Sequence, residues 1–557
     1  MCFGFFININ FIKNIGLYLK KDSTMGNQPY EPQRFFKLFG ATRLGGILLH
    51  PTSLPSKFGI GDLGINSYDF IDFLHKYNQQ IWQILPLGPT GYGNSPYQSF
   101  STFAGNPYLI SPEELNDIGL LNKEEIQPEK EFSSTEVNFG EIINFKFSIL
   151  DKAFQIFINL ENTHSIRKEF RTFTKEEQYW LDDYAIFMSI KRDKEMKPWY
   201  EWDDSIKHRE QDAIKKWKKN NEKKIIFHQF VQFIFFKQWN SVLNYAHKKG
   251  IKIFGDIPIF VAHDSADVWA NPKLFYLDEE RDLIYVAGVP PDKFSETGQR
   301  WGNPLYRWDE MKNQGYDWWV KRIKHVFNMV DFLRIDHFRG FEAYWRIPAD
   351  EPTAIKGKWC PGPGNDLFIT LREKLGLIPI IAEDLGVITE EVEDLLEKTG
   401  YPGMRVLQFA FEENKKKKMG KKEEEKKDTV KEKPRDNKYL PHNYLPNTVA
   451  YTGTHDNDTT LGWFRSLPTE VKRRVLAYVN STKEEILPDL IRLIWSSVAR
   501  IAVIPLQDLL RLGNEARMNH PGTSENNWEW RFKWDQLSEK RGKELANLSK
   551  LYERRLN

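Results

Sequence analysis

Eight short apolar runs, each bounded by glycine, proline or a charged residue, constrain the fold of this chain more than any other feature. The runs are "GGILLHP" (45–51), "QQIWQILPLGP" (79–89), "IKIFGDIPIFV" (251–261), "VDFLRIDHF" (330–338), "IPIIAEDLG" (378–386), "MRVLQFAF" (404–411), "NTVAYTGTHDN" (447–457) and "RIAVIPLQDLL" (500–510). Continuous apolar runs of this length are typical of parallel strands that are covered on both faces. Helical patterns lie between several of them, as in "EEVEDLLEKTG" (390–400), where Gly400 ends the pattern. Eight strands alternating with helices predict an α/β fold, a (β/α)8 TIM barrel with inserted helical subdomains.

The segments between these runs predict how the chain is divided. We expect the barrel to span residues 34–540 and a C-terminal helix to occupy 541–557. The segment at about 111–239 is rich in helical patterns, Trp, Phe and Lys, and we interpret it as a helical insertion after the second strand. A second insertion, made of loops, is expected at about 262–320, after the third strand.

Residues 412–437 form a low-complexity stretch in which lysine and glutamate are interleaved. Such a stretch cannot bury apolar area, so it predicts a disordered surface loop. A purely basic run would suggest nucleic-acid binding, but the interleaved glutamates favour a solvated loop.

The N-terminal extension, residues 1–33, is apolar but is interrupted by three asparagines and a lysine between positions 8 and 14. It lacks the basic start and the small-residue cleavage site of a signal peptide, and it is too interrupted for a membrane span. Two interpretations stay open: a start upstream of the true one at Met25, or a cleaved or disordered leader. The cytoplasm is the expected compartment, with the plastid stroma as the alternative.

The composition excludes several functional classes. Lys and Arg number 79 against 77 Asp and Glu, and the resulting net charge of +2 gives no global attraction to nucleic acid or to an anionic membrane. The two cysteines, Cys2 and Cys360, are too few for a disulfide framework or a Cys-based zinc module, which fits a reducing compartment. We expect no metal and no cofactor, and the oligomeric state stays open. Aromatic residues make up 14% of the chain, and their faces suit packing against sugar rings.

Charged residues crowd the predicted C-terminal ends of the strands, which is where the working residues of a barrel lie. The residues at these ends are Asp256, Arg334, Asp336, Glu383, Asp384, His455, Asp456, Gln507 and Asp508. A lone aspartate at a strand end is more often a helix N-cap than a catalyst, and Asp384, which is followed by Leu-Gly, fits that interpretation. The same pattern on several strands favours a functional site at one mouth.

Converging carboxylates suit the cleavage of a glycosidic bond, which needs an acid for the leaving oxygen and a carboxylate for the anomeric carbon. Arg334, two residues before Asp336, is predicted to point to the same side of the strand and to keep that carboxylate charged and oriented. Glu383 follows an apolar strand, where desolvation would raise its pKa toward that of a general acid. Asp456 and His455 would supply a third carboxylate and a hydrogen-bond donor to ring hydroxyls.

Other classes of site fit the sequence less well. His455-Asp456 could be the metal-binding pair of an HD phosphohydrolase, but that site needs further ligands on helices. "GPTGYG" (88–93) lacks the Lys-Ser/Thr of a phosphate loop, and "DND" (456–458) lacks the spacing and closing glutamate of a calcium loop. A non-catalytic glucan-binding protein would also fit the aromatic content.

Three of these segments carry a resemblance. "FLRIDHFRGF" (332–341), "IIAEDLG" (380–386) and "YTGTHDNDT" (451–459) resemble signature segments of the 4-alpha-glucanotransferases, also called amylomaltases or disproportionating enzymes, of the alpha-amylase clan. The likeness extends from about residue 40 to residue 532. It includes "LLHPTSLPSKFGIGDLG" (48–64), "GDIPIFVAHDSADVW" (255–269), "GVPPDKFSETGQRWGNPLYRW" (288–308) and "PLQDLLRLGNEARMNHPGT" (505–523).

The resemblance implies a role for each acid. Asp336 corresponds to the catalytic nucleophile, Glu383 to the general acid/base, and Asp456 to the third acid, which grips the sugar hydroxyls. Arg334 and His455 match positions that orient the nucleophile and bind the donor-site sugar.

The resemblance also implies a set of substrate-binding residues: Asp256, Arg334, His337, His455, Tyr97, Trp301, Asn303, Asn457 and Gln507. Trp301 and Asn303 belong to "PPDKFSETGQRWGNP" (290–304), which resembles the mobile loop that covers the acceptor side in this family. Lys293 stands where family members often carry tyrosine, so this chain departs from the family in sugar stacking there.

The implied activity is the transfer of a segment of a 1,4-alpha-D-glucan to the 4-hydroxyl of an acceptor glucan or glucose, through a covalent glycosyl-enzyme. Maltooligosaccharides and α-glucans are the implied partners. A retaining, amylase-like hydrolase and a non-catalytic glucan-binding protein stay open as alternatives, because spacing alone does not show whether water or sugar completes the reaction.

Overall fold

The strands of the structure fall where the apolar runs lie. The computed structural model describes residues 43–292, 295–386, 388–411 and 437–554. Within these residues the strands are β1 (Leu44–Leu48), β2 (Ile81–Gln83), β3 (Lys252–Pro258), β4 (Tyr285–Val289), β5 (Gln299–Pro304), β6 (Phe332–Asp336), β7 (Ala343–Pro348), β8 (Lys358–Pro361), β9 (Ile380–Ala382), β10 (Gly403–Val406), β11 (Thr448–Tyr451) and β12 (Ile501–Pro505). Each predicted run overlaps one strand of an eight-stranded sheet, so the prediction of a TIM barrel is confirmed.

The eight strands form a nearly closed barrel in the order β10-β11-β12-β1-β2-β3-β6-β9. Neighbours in this order pair in parallel; Asp256 of β3, for example, lies opposite Arg334 of β6. The two end strands, β9 and β10, meet through one backbone hydrogen bond, from the Ala382 N–H to the Pro402 carbonyl at 3.0 Å. We call this junction the barrel seam.

Side chains from all eight barrel strands meet in one buried cluster, which fills the barrel interior. The cluster includes Leu48, Ile81, Phe254, Phe332, Ile381, Met404, Val449 and Ile501. Their neighbours along the strands, such as Ile47 and Ile253, belong to a second cluster that packs against the helices. Because adjacent residues of a strand point to opposite faces, continuous apolar runs supply both clusters.

Helices surround the barrel and fill most of the first insertion. In the described ranges they are α1 (Ile65–Lys76), α2 (Pro112–Asp117), α3 (Phe139–Asn159), α4 (Ser165–Glu176), α5 (Gln178–Asp193), α6 (Asp204–Lys207), α7 (Gln211–Asn220), α8 (Glu222–Lys248), α9 (Ala266–Ala270), α10 (Trp308–Asn313), α11 (Asp317–Phe327), α12 (Asn365–Leu375), α13 (Glu390–Thr399), α14 (Thr460–Ser466), α15 (Thr469–Val479), α16 (Ile486–Ser496), α17 (Leu506–Leu510) and α18 (Glu539–Leu551). Helices α2 to α8 lie between β2 and β3. Not one of these helices is long and apolar enough to cross a membrane.

A second, antiparallel sheet begins within the predicted loop insertion and is completed by strands beyond it. Its order is β5-β4-β7-β8, so it combines two strands that follow β3 with two that follow β6. The expectation of a loop insertion at 262–320 missed β4 and β5: the short apolar run Tyr285–Val289 was not singled out, and Gln299–Pro304 mixes polar and apolar residues.

Several expectations lie outside the described residues. They concern the N-terminal extension 1–33 with Met25, the departure at Lys293, and the charged loop 412–437 apart from its last residue.

Candidate active site

A buried arginine joins two carboxylates at the C-terminal ends of β3 and β6. Arg334 Nη1 donates to Asp256 Oδ2, and Arg334 Nη2 donates to Asp336 Oδ1, each at 2.6 Å. The side chain of Asp336 is 32% exposed, whereas those of Arg334 and Asp256 are 4% and 0% exposed. Asp336 is therefore held from behind by the guanidinium while part of its carboxylate faces solvent.

Burial and ion pairing shift the pKa values of Asp256 and Arg334 in opposite directions. Burial raises the pKa of Asp256 to about 7, against the opposite pull of the Arg334 guanidinium. Burial also opposes the charged form of Arg334, but the carboxylates of Asp256 and Asp336 outweigh it and hold the arginine pKa above its ordinary value. The guanidinium therefore stays charged.

The hydroxyl of Tyr97 extends this network to β11. Tyr97 Oη lies 2.8 Å from Asp256 Oδ2 and 2.8 Å from His455 Nε2. The two rings stack, with centroids 5.4 Å apart and planes 12° from parallel. Burial lowers the pKa of His455, so its ring is neutral at pH 7. If the tyrosine donates to Asp256, then Nε2–H of the histidine is the donor to the tyrosine.

Asp456 is the third acid at the mouth. Its Oδ1 accepts a hydrogen bond from Asn519 Nδ2 at 2.6 Å, and its Oδ2 lies 3.3 Å from His455 Nε2. Arg517 Nη2 donates to the backbone carbonyl of Asp456 at 2.8 Å. The Asp456 side chain is 39% exposed, so its carboxylate is oriented by these contacts and remains open to a ligand.

Glu383 directly follows β9, and backbone amides hold both of its oxygens. The His337 N–H donates to Oε2 at 2.7 Å, and the Leu385 N–H donates to Oε1 at 2.8 Å. Burial raises the pKa of Glu383, and the negative charge of Asp336 raises it further. A carboxyl group with a raised pKa can carry a proton near neutral pH, which is what a general acid requires.

His337 links the second sheet to β6, the strand that ends in Asp336. Its backbone is left-handed, with φ 54° and ψ 48°, directly after Asp336. Burial lowers the pKa of the His337 ring to about 4, and the ring meets Trp301 edge-on at 4.8 Å between centroids. A non-glycine residue in this conformation needs its surroundings to hold it, and such positions are concentrated at functional sites.

Other residues expected to bind substrate are engaged by the protein itself. Asn303 Nδ2 donates to the Val261 carbonyl at 2.9 Å, and Asn303 Oδ1 accepts from Gln98 at 3.2 Å. Asn457 Oδ1 accepts from the N–H of Thr454 at 2.9 Å. Asn303 therefore fixes β5 against the segment that follows β3, and Asn457 shapes its own loop.

Gln507 Nε2 donates to the Ala516 carbonyl at 3.2 Å. Its side chain lines the same pocket as His455 and Asn457, so the structure brings these three predicted residues together.

Asp384 is not a helix N-cap, contrary to the interpretation of its Leu-Gly context. Its Oδ1 accepts from the Met404 N–H at 2.6 Å, and its Oδ2 accepts from Arg405 Nη1 at 2.7 Å. Helix α13 begins later, with Thr389 at its N-cap position. The carboxylate of Asp384 therefore joins β9 to β10.

Asp508 is also separate from the carboxylates of the mouth. Its Oδ2 accepts from the hydroxyls of Thr452 at 2.6 Å and Thr460 at 2.7 Å. It is fully buried and ties the end of β11 to helix α14. Asn519 and Arg517, which hold Asp456, were not singled out from the sequence, although the segment 505–523 that contains them carries the family resemblance.

The arrangement combines an oriented, partly exposed carboxylate, a second carboxyl group with a raised pKa, and a third carboxylate beside a neutral histidine. This set can attack an anomeric carbon, protonate a leaving oxygen and bind sugar hydroxyls. No group of three or more His, Cys, Asp or Glu side chains in the described part of the chain could hold a metal ion.

Comparisons with known proteins agree with this chemistry. A family model described as 4-alpha-glucanotransferase matches residues 49–537, a range that includes every residue of the site. The chain is 47% identical over 519 residues to the 4-alpha-glucanotransferase of Synechocystis sp., covering 92% of this chain and 98% of that protein. It is 44% identical over 497 residues to the "4-alpha-glucanotransferase, chloroplastic/amyloplastic" of Solanum tuberosum, covering 88% and 82%. Its structure is similar to that of an amylomaltase from Streptococcus agalactiae in complex with acarbose, with a TM-score of 0.85, 40% identity, and coverage of 92% and 99%.

Proposed function

The chain belongs to the 4-alpha-glucanotransferase family and has that glycosyltransferase activity, and from this premise we propose that it works by a retaining double displacement. The observation that carries the proposal is the pairing of an arginine-held carboxylate, Asp336, with a carboxyl group of raised pKa, Glu383, whose Oε2 accepts from the amide that follows Asp336.

In the first step Asp336 attacks C1 of the donor glucan. Its Oδ1 is occupied by Arg334, so we assign the attack to Oδ2. The bond between C1 and the glycosidic oxygen breaks, and Glu383 donates its proton to that oxygen. The products of this step are a shortened glucan and a glycosyl-enzyme joined through the Asp336 ester.

In the second step the 4-hydroxyl of an acceptor glucan or glucose attacks C1 of the glycosyl-enzyme. Glu383, now ionised, accepts the hydroxyl proton, and the Asp336 carboxylate leaves. Two inversions at C1 restore the α configuration. The raised pKa of Glu383 suits both roles, because the group must hold a proton in one step and take one back in the next.

The remaining residues would bind and orient the donor sugar. Asp456 is held by Asn519 with part of its carboxylate exposed, which suits hydrogen bonds from two adjacent hydroxyls. Neutral His455 and Tyr97 would shape the donor side, and Arg334 would keep Asp336 oriented. Trp301, half-buried against His337, would meet the acceptor.

We propose maltooligosaccharides and longer α-glucans as substrates. The similar amylomaltase was solved in complex with acarbose. In this chain the carboxylates of Asp336 and Asp456 are partly exposed and can accept hydrogen bonds from sugar hydroxyls. We also propose that the protein works in an aqueous compartment. Our assignment is the cytoplasm, with the plastid stroma as the alternative.

We further propose a domain division in which one barrel carries two insertions. The helices α2 to α8 would form the first insertion, and the sheet β5-β4-β7-β8 would be the core of the second. The charged segment 412–437, which lies between β10 and β11 in the chain, would have no role in the reaction.

Incubation with maltotriose tests the activity, and two variants test the residues. Transfer gives glucose together with a ladder of longer maltodextrins, hydrolysis gives smaller sugars alone, and a binding protein leaves maltotriose unchanged. We expect Glu383→Gln and Asp336→Asn to abolish the ladder, with maltotriose binding largely kept in Glu383→Gln. The matched control is Glu373→Gln, on the exposed face of α12, which should keep wild-type turnover. Wild-type turnover in Glu383→Gln would refute its assignment as acid/base.

A further inference from the structure

The barrel seam lies directly beside Glu383. Along the other junctions of the barrel, backbone ladders of at least three residue pairs join the strands, as between β3 and β6. At the seam the Ala382 N–H bonds the Pro402 carbonyl, and the next contact toward the mouth is made by a side chain, that of Asp384. Glu383 lies between Ala382 and Asp384 in the chain, so its position depends on how these two neighbours are bound to β10.

The Asp384 carboxylate binds β10 through two hydrogen bonds. It accepts from the Met404 N–H at 2.6 Å and from Arg405 Nη1 at 2.7 Å, and its side chain is 2% exposed. Arg405 Nη1 also donates to the Met404 carbonyl at 2.6 Å. Gly403 makes the approach possible, since a Cβ there would lie 2.7 Å from Asp384 Oδ2.

Glu383 is therefore fixed from two sides. Its own backbone binds β6, because its N–H donates to the Ile335 carbonyl at 3.2 Å and its carbonyl accepts from the Phe338 N–H at 3.2 Å. Its neighbour Asp384 binds β10 on the opposite side. Adjacent side chains of an extended chain point to opposite faces, so anchoring Asp384 in the seam directs Glu383 toward Asp336.

We infer that the Asp384–Arg405 pair is a positioning device that holds Glu383 in place for proton transfer to the glycosidic oxygen. The inference rests on the proposed role of Glu383 as acid/base. Neither Asp384 nor Arg405 touches substrate in this account; both act through the placement of Glu383.

The other end of the barrel offers a matched control. Asp331, just before β6, accepts from the Ile253 N–H at 2.9 Å and lies 2.9 Å from His247 Nε2 and 3.3 Å from Lys252 Nζ. It is as buried as Asp384 and likewise uses a backbone amide and basic side chains to bind the neighbouring strand. It differs in lying at the N-terminal end, far along the strands from the mouth. Asp331→Asn should cost stability without affecting proton transfer.

Two donor substrates distinguish a misplaced Glu383 from a general loss of active-site structure. With maltotriose, departure of the leaving oxygen needs the Glu383 proton. With α-maltosyl fluoride, Asp336 forms its bond to C1 while the C1–F bond breaks and fluoride leaves with the electron pair, so no proton is required. The burst of fluoride therefore reports attack by Asp336 alone, whereas maltotriose transfer reports attack together with proton transfer.

We expect Asp384→Asn to lower kcat for maltotriose by about 10- to 100-fold, because displacements of up to about 1 Å at a catalytic group cost rates of this order. The rate of the fluoride burst should stay within about 3-fold of wild type. Arg405→Lys keeps the charge and loses the guanidinium fork. It should also slow maltotriose transfer while leaving the fluoride burst nearly unchanged, and it serves as the test if Asp384→Asn does not fold.

The pH profile gives a second readout. The charged groups that act on Glu383 are Asp336, Arg334 and Lys438, and Arg405 is the ion-pair partner of its neighbour Asp384. Neutralising Asp384 leaves the cations of Arg405 and Lys438 uncompensated beside Glu383 and favours its ionised form. The alkaline limb of kcat should therefore move to lower pH in Asp384→Asn and stay in place in Asp331→Asn.

Three outcomes would overturn the inference: equal losses with both donors, unchanged maltotriose transfer in Asp384→Asn and Arg405→Lys, or the same donor-dependent loss in Asp331→Asn. Failure of the underlying mechanism would look different. Glu383→Gln would then retain maltotriose transfer, whatever the behaviour of the seam variants.

Discussion

Replacing Arg334 by glutamine removes the cation that two carboxylates share, and the cost should depend on pH. The guanidinium contacts Asp256 and Asp336 at 2.6 Å each, and the Asp256 side chain is fully buried. Breaking a buried pair by removing one partner costs about 3–5 kcal/mol, because the remaining charge is left uncompensated. In Arg334→Gln the buried carboxyl of Asp256 can escape part of this cost by taking up a proton.

The sign of the pH dependence follows from the raised pKa of Asp256. A carboxyl group whose pKa is raised in the folded protein makes folding less favourable as pH rises above its unfolded value, until it ionises in the folded protein. In the wild type this decrease in the free energy of unfolding ends near pH 7, where the Asp256 carboxyl ionises beside Arg334. Without Arg334 the pKa of Asp256 rises further, so the loss continues at higher pH. The deficit of the variant should grow by about 1.4 kcal/mol for each pH unit above 7.

Urea unfolding of the wild type and Arg334→Gln between pH 6 and pH 9 measures this difference. We expect a deficit that grows by about 3 kcal/mol between pH 7 and pH 9. The control is the double variant Arg334→Gln with Asp256→Asn, which lacks the titrating carboxyl and should show a deficit that is constant with pH. A deficit of the single variant that is flat from pH 6 to pH 9 would show that Asp256 does not hold the buried charge, and the reasoning would fail.

Three further predictions concern other contacts. Tyr97→Phe removes the hydroxyl between Asp256 and His455 and should lower the free energy of unfolding by about 1.5–3 kcal/mol, the value of a hydrogen bond to a charged group, as measured by urea unfolding. Asn519→Ala should lower kcat/KM for maltotriose by about 10-fold or more with an unchanged melting temperature, since it frees the Asp456 carboxylate to rotate; an unchanged kcat/KM would contradict this. Deletion of residues 414–435 should barely change the melting temperature or the transfer rate, and a large loss in either would show that this charged segment is structural.

Much of the fold can be predicted from the chain because a covered parallel strand has a local signature. Ile501–Pro505, for example, is a continuous apolar run, and it is buried at every position. In the second sheet, β4 is apolar as well, but β5 has no such signature. Gln299–Pro304 mixes polar and apolar residues and only its last two residues are buried, so its strand character comes from pairing with β4.

The same division applies to the site. The rule that barrel residues act at strand ends, together with the resemblance to a known family, brought out Asp336, Glu383 and Asp456, and the structure places each beside the mouth with an oriented carboxylate. Asn519, which orients Asp456, lies 63 positions along the chain, and no local pattern connects the two.

The sequence by itself determined the barrel and the acids that follow its strands, since apolar runs and the residues that end them are local properties. Only the tertiary structure decided which way each acid points and which groups it contacts. Glu383 and Asp384 are adjacent in the chain, yet one faces Asp336 and the other closes the seam. Asp456 and Asp508 both lie a few residues beyond a barrel strand, yet Asp508 is buried against Thr452 and Thr460 while Asp456 is partly exposed at the mouth. Strand register and barrel closure set the direction and partners of each side chain, and both depend on contacts between residues that are distant in the chain.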